Sequence, residues 1–234
     1  MVIPVDAANS HLLIAGPGRS GTSLLVRLLA ELGMETGSEA LTWFPDAHAG
    51  LESLLTPDAP YVVKNPALTW QLESMLASGE VEASSISGVV LPIRELDEVV
   101  ASRFLISAKA GRRKTPGGLS QAHTLAKERE GLSEMMYRLC LVLARYEIPA
   151  IFLAYPEFAI QCEYAYRQLR PVLPDDVDDR RFQLAWHKVT DSELVRSGSI
   201  QVPRRTRLWW ENRFRIQYGR RRVFSLIPRK QAGP

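Results

Sequence analysis

A short apolar strand that runs into a glycine-rich turn and then into a helical pattern is the feature that most constrains this chain. The strand is predicted over residues 11–15, and the turn reads Gly16-Pro-Gly-Arg-Ser-Gly-Thr-Ser23. Apolar residues then recur at helical spacing over residues 24–32, and Gly33 provides a helix stop. Strand, turn and helix in this order predict the first β-α unit of a parallel sheet.

The same alternation of strands and helices continues along the chain. Further strands are predicted over residues 61–64, 86–93 and 150–155. Helices are predicted over residues 95–107 and 122–147, and a loop over residues 171–180. Repeated β-α units predict an α/β fold, a three-layer sandwich with a central parallel sheet, in a single domain over residues 1–234.

Composition favours a soluble globular protein. Apolar residues make up 46% of the chain and charged residues 24%, which excludes a chain that is disordered throughout. The two cysteines, Cys140 and Cys162, cannot form a disulfide framework and suit a reducing compartment. Neither a long apolar run nor a signal peptide is recognisable, so we expect a cytoplasmic protein.

Charge is unevenly distributed along the chain. The net charge is only +3, but residues 200–234 hold ten Lys and Arg and a single acid, Glu211. This segment is therefore a basic C-terminal extension on a mildly acidic body. Such a split is typical of proteins with an anionic partner, and it also describes a solvated terminal helix rich in arginine. Both interpretations stay open.

The turn after the first strand has chemistry suited to anions. Its glycine spacing is that of a phosphate-binding P-loop, but Thr22 stands where nucleotide-binding proteins have lysine. Converging backbone N–H groups and the positive end of the following helix attract an anion. Thr22 and Ser23 add hydroxyl donors, and Arg19 adds a cation that pairs with tetrahedral oxyanions. We therefore predict a phosphate- or sulfate-binding loop, with an ordinary tight turn as the alternative.

Residues 16–25 resemble the 5′-phosphosulfate-binding loop of sulfotransferases that use 3′-phosphoadenosine 5′-phosphosulfate (PAPS). The likeness is to the bacterial and Golgi-type branch, whose loop reads x-R-S-G-T-S/T-L. It implies the P-loop-containing nucleotide-kinase-like fold, PAPS as sulfonate donor, 3′-phosphoadenosine 5′-phosphate (PAP) as product, and no metal. The cofactor-binding residues that it implies in the loop are Gly18, Arg19, Ser20, Gly21, Thr22 and Ser23.

A second segment, residues 89–102, is similar to the 3′-phosphate site of the same family. That site has an arginine at a strand end and a serine eight residues later, here Arg94 and Ser102. The strand would deliver Arg94 to the carboxyl edge of the sheet, where ligands bind in open α/β sheets. Ser102, about two turns into the next helix, can point to the same place. The alternative is an exposed arginine with a serine on the helix surface.

A third segment, Lys64-Asn65-Pro66, looks like the family's K-D/N/S/T-P element. The resemblance implies that Lys64 contacts the sulfonate or the bridging oxygen. Sulfonyl transfer places charge on three equatorial oxygens and on the departing phosphate, by analogy with phosphoryl transfer. Lys64 and Arg19 are therefore predicted to be catalytic through electrostatic stabilisation.

The acceptor hydroxyl must lose a proton, so a general base is expected near the sulfonate. Glu52 ranks first, because residues 46–52 resemble a bacterial element that ends in glycine, two aromatics and glutamate. Glu39 ranks second, since it follows Arg19 by 20 residues, close to the position of the base in tyrosyl-protein sulfotransferases. His48 ranks third. Each of the three is alternatively a surface residue.

The sequence thus predicts a PAPS-dependent sulfotransferase that acts on a hydroxyl of a small-molecule, glycan or lipid-linked acceptor. The alternatives are a divergent P-loop kinase and a non-catalytic protein that binds PAP or another polyanion. Nucleic acid is a less favoured partner: arginines alternate with aromatics from Arg204 onward, but no nucleic-acid fold motif is recognisable. Peripheral contact of the basic extension with an anionic surface stays open. The sequence does not indicate the acceptor or the oligomeric state.

Overall fold

The computed structural model describes residues 10–37, 43–44, 49–110, 118 and 124–190. Its strands are β1 (His11–Ile14), β2 (Trp43–Phe44), β3 (Ala49–Gly50), β4 (Val62–Lys64), β5 (Ile86–Arg94) and β6 (Ala150–Tyr155). Four of them form a parallel sheet in the order β4-β1-β5-β6, and β2 pairs with β3 in a separate antiparallel ribbon. The predicted α/β fold with a parallel sheet is confirmed.

Helices connect the strands. They are α1 (Thr22–Glu31), α2 (Leu68–Ser78), α3 (Leu96–Ala110), α4 (Leu125–Arg145), α5 (Glu157–Ile160), α6 (Cys162–Leu169) and α7 (Asp179–Val189). Two of them begin at side-chain caps, where Thr124 and Asp178 accept hydrogen bonds from the backbone N–H groups of Lys127 and Arg181. The loop predicted over residues 171–180 is wrong in part, since α7 already begins at Asp179 behind this cap.

The two faces of the sheet pack against different helices. Because successive side chains of a strand point to opposite faces, Leu12 and Ile14 of β1 join one apolar cluster and Leu13 joins another. The first cluster contains residues of α1, α6 and α7, and the second contains residues of α2 and α4. Helices on both faces are what a three-layer sandwich requires.

The order of the strands reverses at β1. The chain passes from β1 through α1 to β4 on one side, and then through α2 to β5 on the other side. Open α/β sheets bind ligands at such a reversal of strand order. Lys64 is level with Ile14, and β5 continues four residues beyond Val90, the partner of Ile14, to end at Arg94.

Three sequence predictions lie outside the described residues. They concern Glu39, His48 and the basic extension over residues 200–234. Within the part of the chain that the structure describes, no helix has both the length and the apolar character needed to cross a bilayer.

Candidate anion-binding site

The loop between β1 and α1 takes a shape that depends on glycine. Gly21 precedes the first helical residue with φ at 92°, and α1 has no side-chain cap there. A Cβ atom on Gly21 would lie 2.8 Å from the ring of Phe158 and 2.9 Å from the ring of Tyr155, closer than real Cβ contacts. A residue with a side chain would therefore clash as well as strain the backbone at this position.

One hydrogen bond anchors the start of the loop to α2, and another closes the loop internally. The Gly16 N–H donates to Thr69 Oγ1 of α2 at 3.0 Å, and Ser20 Oγ donates to the carbonyl of Pro17 at 2.6 Å. Arg19, although not a glycine, has φ at 83°. A strained conformation of this kind persists only where surrounding contacts over-determine it.

Those contacts come from β5 and α3. Arg19 Nε donates to Ser102 Oγ at 3.1 Å, and Arg94 Nη1 donates to the Arg19 carbonyl at 3.2 Å. Arg94 and Ser102 are both buried. The structure therefore brings together the two residues of the predicted 3′-phosphate site and joins both of them to the loop.

Arg94 has two more partners that the sequence analysis missed. Its Nε donates to Glu98 Oε2 at 3.0 Å, and its Cζ lies 5.0 Å from the ring centroid of Tyr155. A buried cation is tolerated only when such partners compensate its lost hydration. Arg94 is the last residue of β5 and Glu98 lies in the first turn of α3, so the contact crosses the turn from strand to helix and helical spacing did not indicate it.

Lys64 is the last residue of β4, and its side chain is buried. Its Nζ donates to the carbonyl of Gly50 at 2.7 Å and pairs with Glu52 Oε1 at 3.2 Å. The lysine side chain is 3% exposed and the Glu52 side chain 44%. Burial lowers the pKa of Lys64 below its ordinary 10.5, and the charge and hydrogen bond of Glu52 offset only part of that effect.

The segment that brings Glu52 to Lys64 has an unusual backbone. Gly50 and Leu51 have φ values of 118° and 60°, so two consecutive residues are left-handed. The Gly50 carbonyl also accepts a hydrogen bond from Ser23 Oγ at 3.2 Å. Of the three candidate bases, Glu52 is thus beside Lys64, whereas the other two lie outside the described residues.

The remaining predicted site residues belong to the same loop. Gly18 lies in its turn and is partly buried, while Thr22 and Ser23 are the first two residues of α1. Residues 16–23, Lys64, Arg94 and Ser102 lie at the carboxyl edge of the sheet, where the cations of Lys64 and Arg94 are paired with the carboxylates of Glu52 and Glu98. The described residues contain no group of three or more His, Cys, Asp or Glu side chains placed to hold a metal ion.

No protein family, curated protein or solved structure matches this chain. The resemblance to sulfotransferases therefore depends on residues 16–25, 64–66 and 89–102.

Proposed function

We propose that the protein is a PAPS-dependent sulfotransferase. In this proposal the loop over residues 16–23 binds the 5′-phosphosulfate, and Arg94 with Ser102 binds the 3′-phosphate. The main support for it is a pair of hydrogen bonds at Arg19. The Arg19 side chain donates to Ser102, and the Arg19 carbonyl accepts from Arg94. PAPS has an anionic group at each end, so it needs two anion sites at a fixed separation. These hydrogen bonds would fix that separation.

The position of the loop also supports the sulfotransferase type of P-loop fold. The loop joins a central parallel strand to a helix whose N-terminus has no side-chain cap. An anion there would accept from the first N–H groups of α1. A kinase of this class would carry lysine in the place of Thr22 to reach the β- and γ-phosphates, so the loop favours PAPS over ATP.

Transfer of the sulfonate would use the chain's own charges. The acceptor oxygen forms a bond to sulfur while the bond from sulfur to the bridging phosphate oxygen breaks, and that electron pair leaves with PAP. Lys64 and Arg19 stabilise the charge on the equatorial oxygens and on the leaving phosphate. Glu52, which is 44% exposed, is the group that can take the acceptor's proton.

A non-catalytic PAP-binding protein is the second candidate, and the surroundings of Lys64 favour it. The lysine is buried, and its Nζ bonds the Gly50 carbonyl and Glu52. An ammonium group held in this way reaches a sulfonate only if those contacts are exchanged for new ones. The cofactor motifs would then serve binding alone.

Radiolabelled sulfonate transfer from PAPS into an extract rich in hydroxyl compounds separates the candidates. We expect a labelled product with the wild type and at least about a hundredfold less with Lys64→Ala, by analogy with the loss of an oxyanion-stabilising group. Lys188→Ala is the matched control. It also removes a lysine from an ion pair, but that pair, with Glu31, is at the far end of α1.

Each outcome has a definite meaning. Labelled product that depends on Lys64 supports the transferase, and PAP binding without any product supports the binder. Stabilisation by ATP with magnesium but not by PAP would contradict both and favour the kinase alternative.

A further inference from the structure

Tyr155 lies where β6 ends, directly beside Arg94. The two residues are register partners at the ends of neighbouring parallel strands. The Arg94 Cζ is 5.0 Å from the centroid of the Tyr155 ring, within the roughly 6 Å range of a cation–π interaction. The Arg94 side chain is only 4% exposed, and a cation–π contact is strongest where water is excluded.

The same tyrosine also faces the loop. A Cβ atom added to Gly21 would lie 2.9 Å from Tyr155 Cδ2, so the tyrosine ring packs directly against that glycine. Phe158 supports the ring from the side, with the two centroids 5.8 Å apart in an edge-to-face arrangement. Tyr155 therefore contacts both Arg94 and the residue from which α1 begins.

The geometry of a guanidinium group allows this contact to persist while an anion is bound. Arginine donates hydrogen bonds in the plane of its guanidinium group, and it stacks on aromatic rings through the face of that plane. An anion would therefore compete with Glu98 and with the Arg19 carbonyl, which accept hydrogen bonds from Nε and Nη1, but not with the Tyr155 ring. A contact through the ring face restricts the orientation of the guanidinium group without accepting a hydrogen bond from it.

We infer that Tyr155 is a positioning residue of the anion site. Its ring fixes the guanidinium plane of Arg94 and packs against Gly21, so the arginine and the loop keep one separation. The identity of the anion in this inference, a nucleoside 3′,5′-bisphosphate, rests on the proposed function. The positioning of Arg94 does not.

The test keeps the shape of the ring and changes only the charge on its face. Tyr155→Phe is the reference, and trifluorophenylalanine at position 155 has nearly the same shape with a much less negative face. We expect the fluorinated protein to bind PAP about threefold to thirtyfold more weakly than the Tyr155→Phe reference. In an Arg94→Ala background, fluorination should leave the affinity unchanged, because the coupled partner is gone.

A purely structural role for Tyr155 gives a different pattern. Fluorination would then have no effect on PAP affinity, or an equal effect with and without Arg94, and either result overturns the inference. A second readout is independent of the ligand: in the free protein, the NMR order parameter of the Arg94 Nε–H should fall on fluorination.

The two proposals can fail separately. If the wild type does not bind PAP, the proposed function is wrong, and the order parameter alone decides the role of Tyr155. If PAP binds but the order parameter stays the same on fluorination, the positioning role is wrong and the proposed function stands.

Discussion

Arg19 Nε donates to Ser102 Oγ at 3.1 Å, although the two residues are 83 positions apart in the chain. The bond ties the loop after β1 to the helix after β5, and it helps to hold Arg19 in a left-handed conformation. The two groups that would bind opposite ends of a nucleotide are thus parts of one hydrogen-bonded unit. The shape of the loop should therefore depend on residues far from it in sequence.

Ser102→Ala tests this dependence. The change removes a hydrogen bond to a guanidinium group and a hydroxyl donor, so we expect about tenfold weaker PAP binding. Ser133→Ala is the control, since that exposed hydroxyl bonds a helical carbonyl on α4. Calorimetric titration with PAP measures both variants, and equal affinities for the two would contradict the role given to Ser102.

Gly21→Ala should lower the unfolding free energy by more than the backbone strain of an alanine in a left-handed conformation accounts for. Gly79 is the matched control, because its φ of 75° is also positive but nothing lies within 4 Å of a Cβ placed there. We expect Gly79→Ala to cost about 1 kcal/mol of unfolding free energy. Gly21→Ala should cost at least about 1 kcal/mol more, since its Cβ meets Phe158 and Tyr155. Urea unfolding measures both variants, and equal losses would mean that the aromatic contact is unimportant.

Lys64 should make the unfolding free energy of the protein depend on pH in the alkaline range. Burial lowers its pKa below 10.5 in the folded state, so the unfolded state binds more protons between the lowered pKa and 10.5. Unfolding free energy contributed by this group therefore rises with pH across that window. Lys64→Met lacks the group, so the wild type should gain stability relative to this variant as pH approaches 10.5. Urea unfolding measures the difference in unfolding free energy between the wild type and Lys64→Met. A difference that stays constant or shrinks as pH rises would contradict the lowered pKa of Lys64.

Local patterns predicted the elements that present the site. Glycine spacing indicated the loop, and a strand end followed by a helix indicated the proximity of Arg94 and Ser102. Both depend on a few residues that are close in sequence. Helix α2 was missed although Leu68, Leu72 and Leu76 recur every four residues and are buried, a pattern that does indicate a helix.

The other contacts of the site depend on tertiary structure. Tyr155 meets Arg94 only because β5 and β6 pair in one particular register, which no local pattern specifies. The Gly50 carbonyl reaches Lys64 because Leu51 is left-handed, a conformation that a leucine in the sequence does not suggest. The packing of whole elements fixes such contacts, so they could not be predicted from short segments.

The most direct measurement is the affinity of the protein for PAP and for adenosine 5′-phosphate, before and after Arg94→Ala. The two nucleotides differ only in the 3′-phosphate, the group assigned to Arg94 and Ser102. We predict that the wild type binds PAP about a hundredfold more tightly, and that the variant binds both nucleotides with the weaker affinity. Equal binding of the two nucleotides by the wild type, or an equal loss for both on Arg94→Ala, would contradict the account.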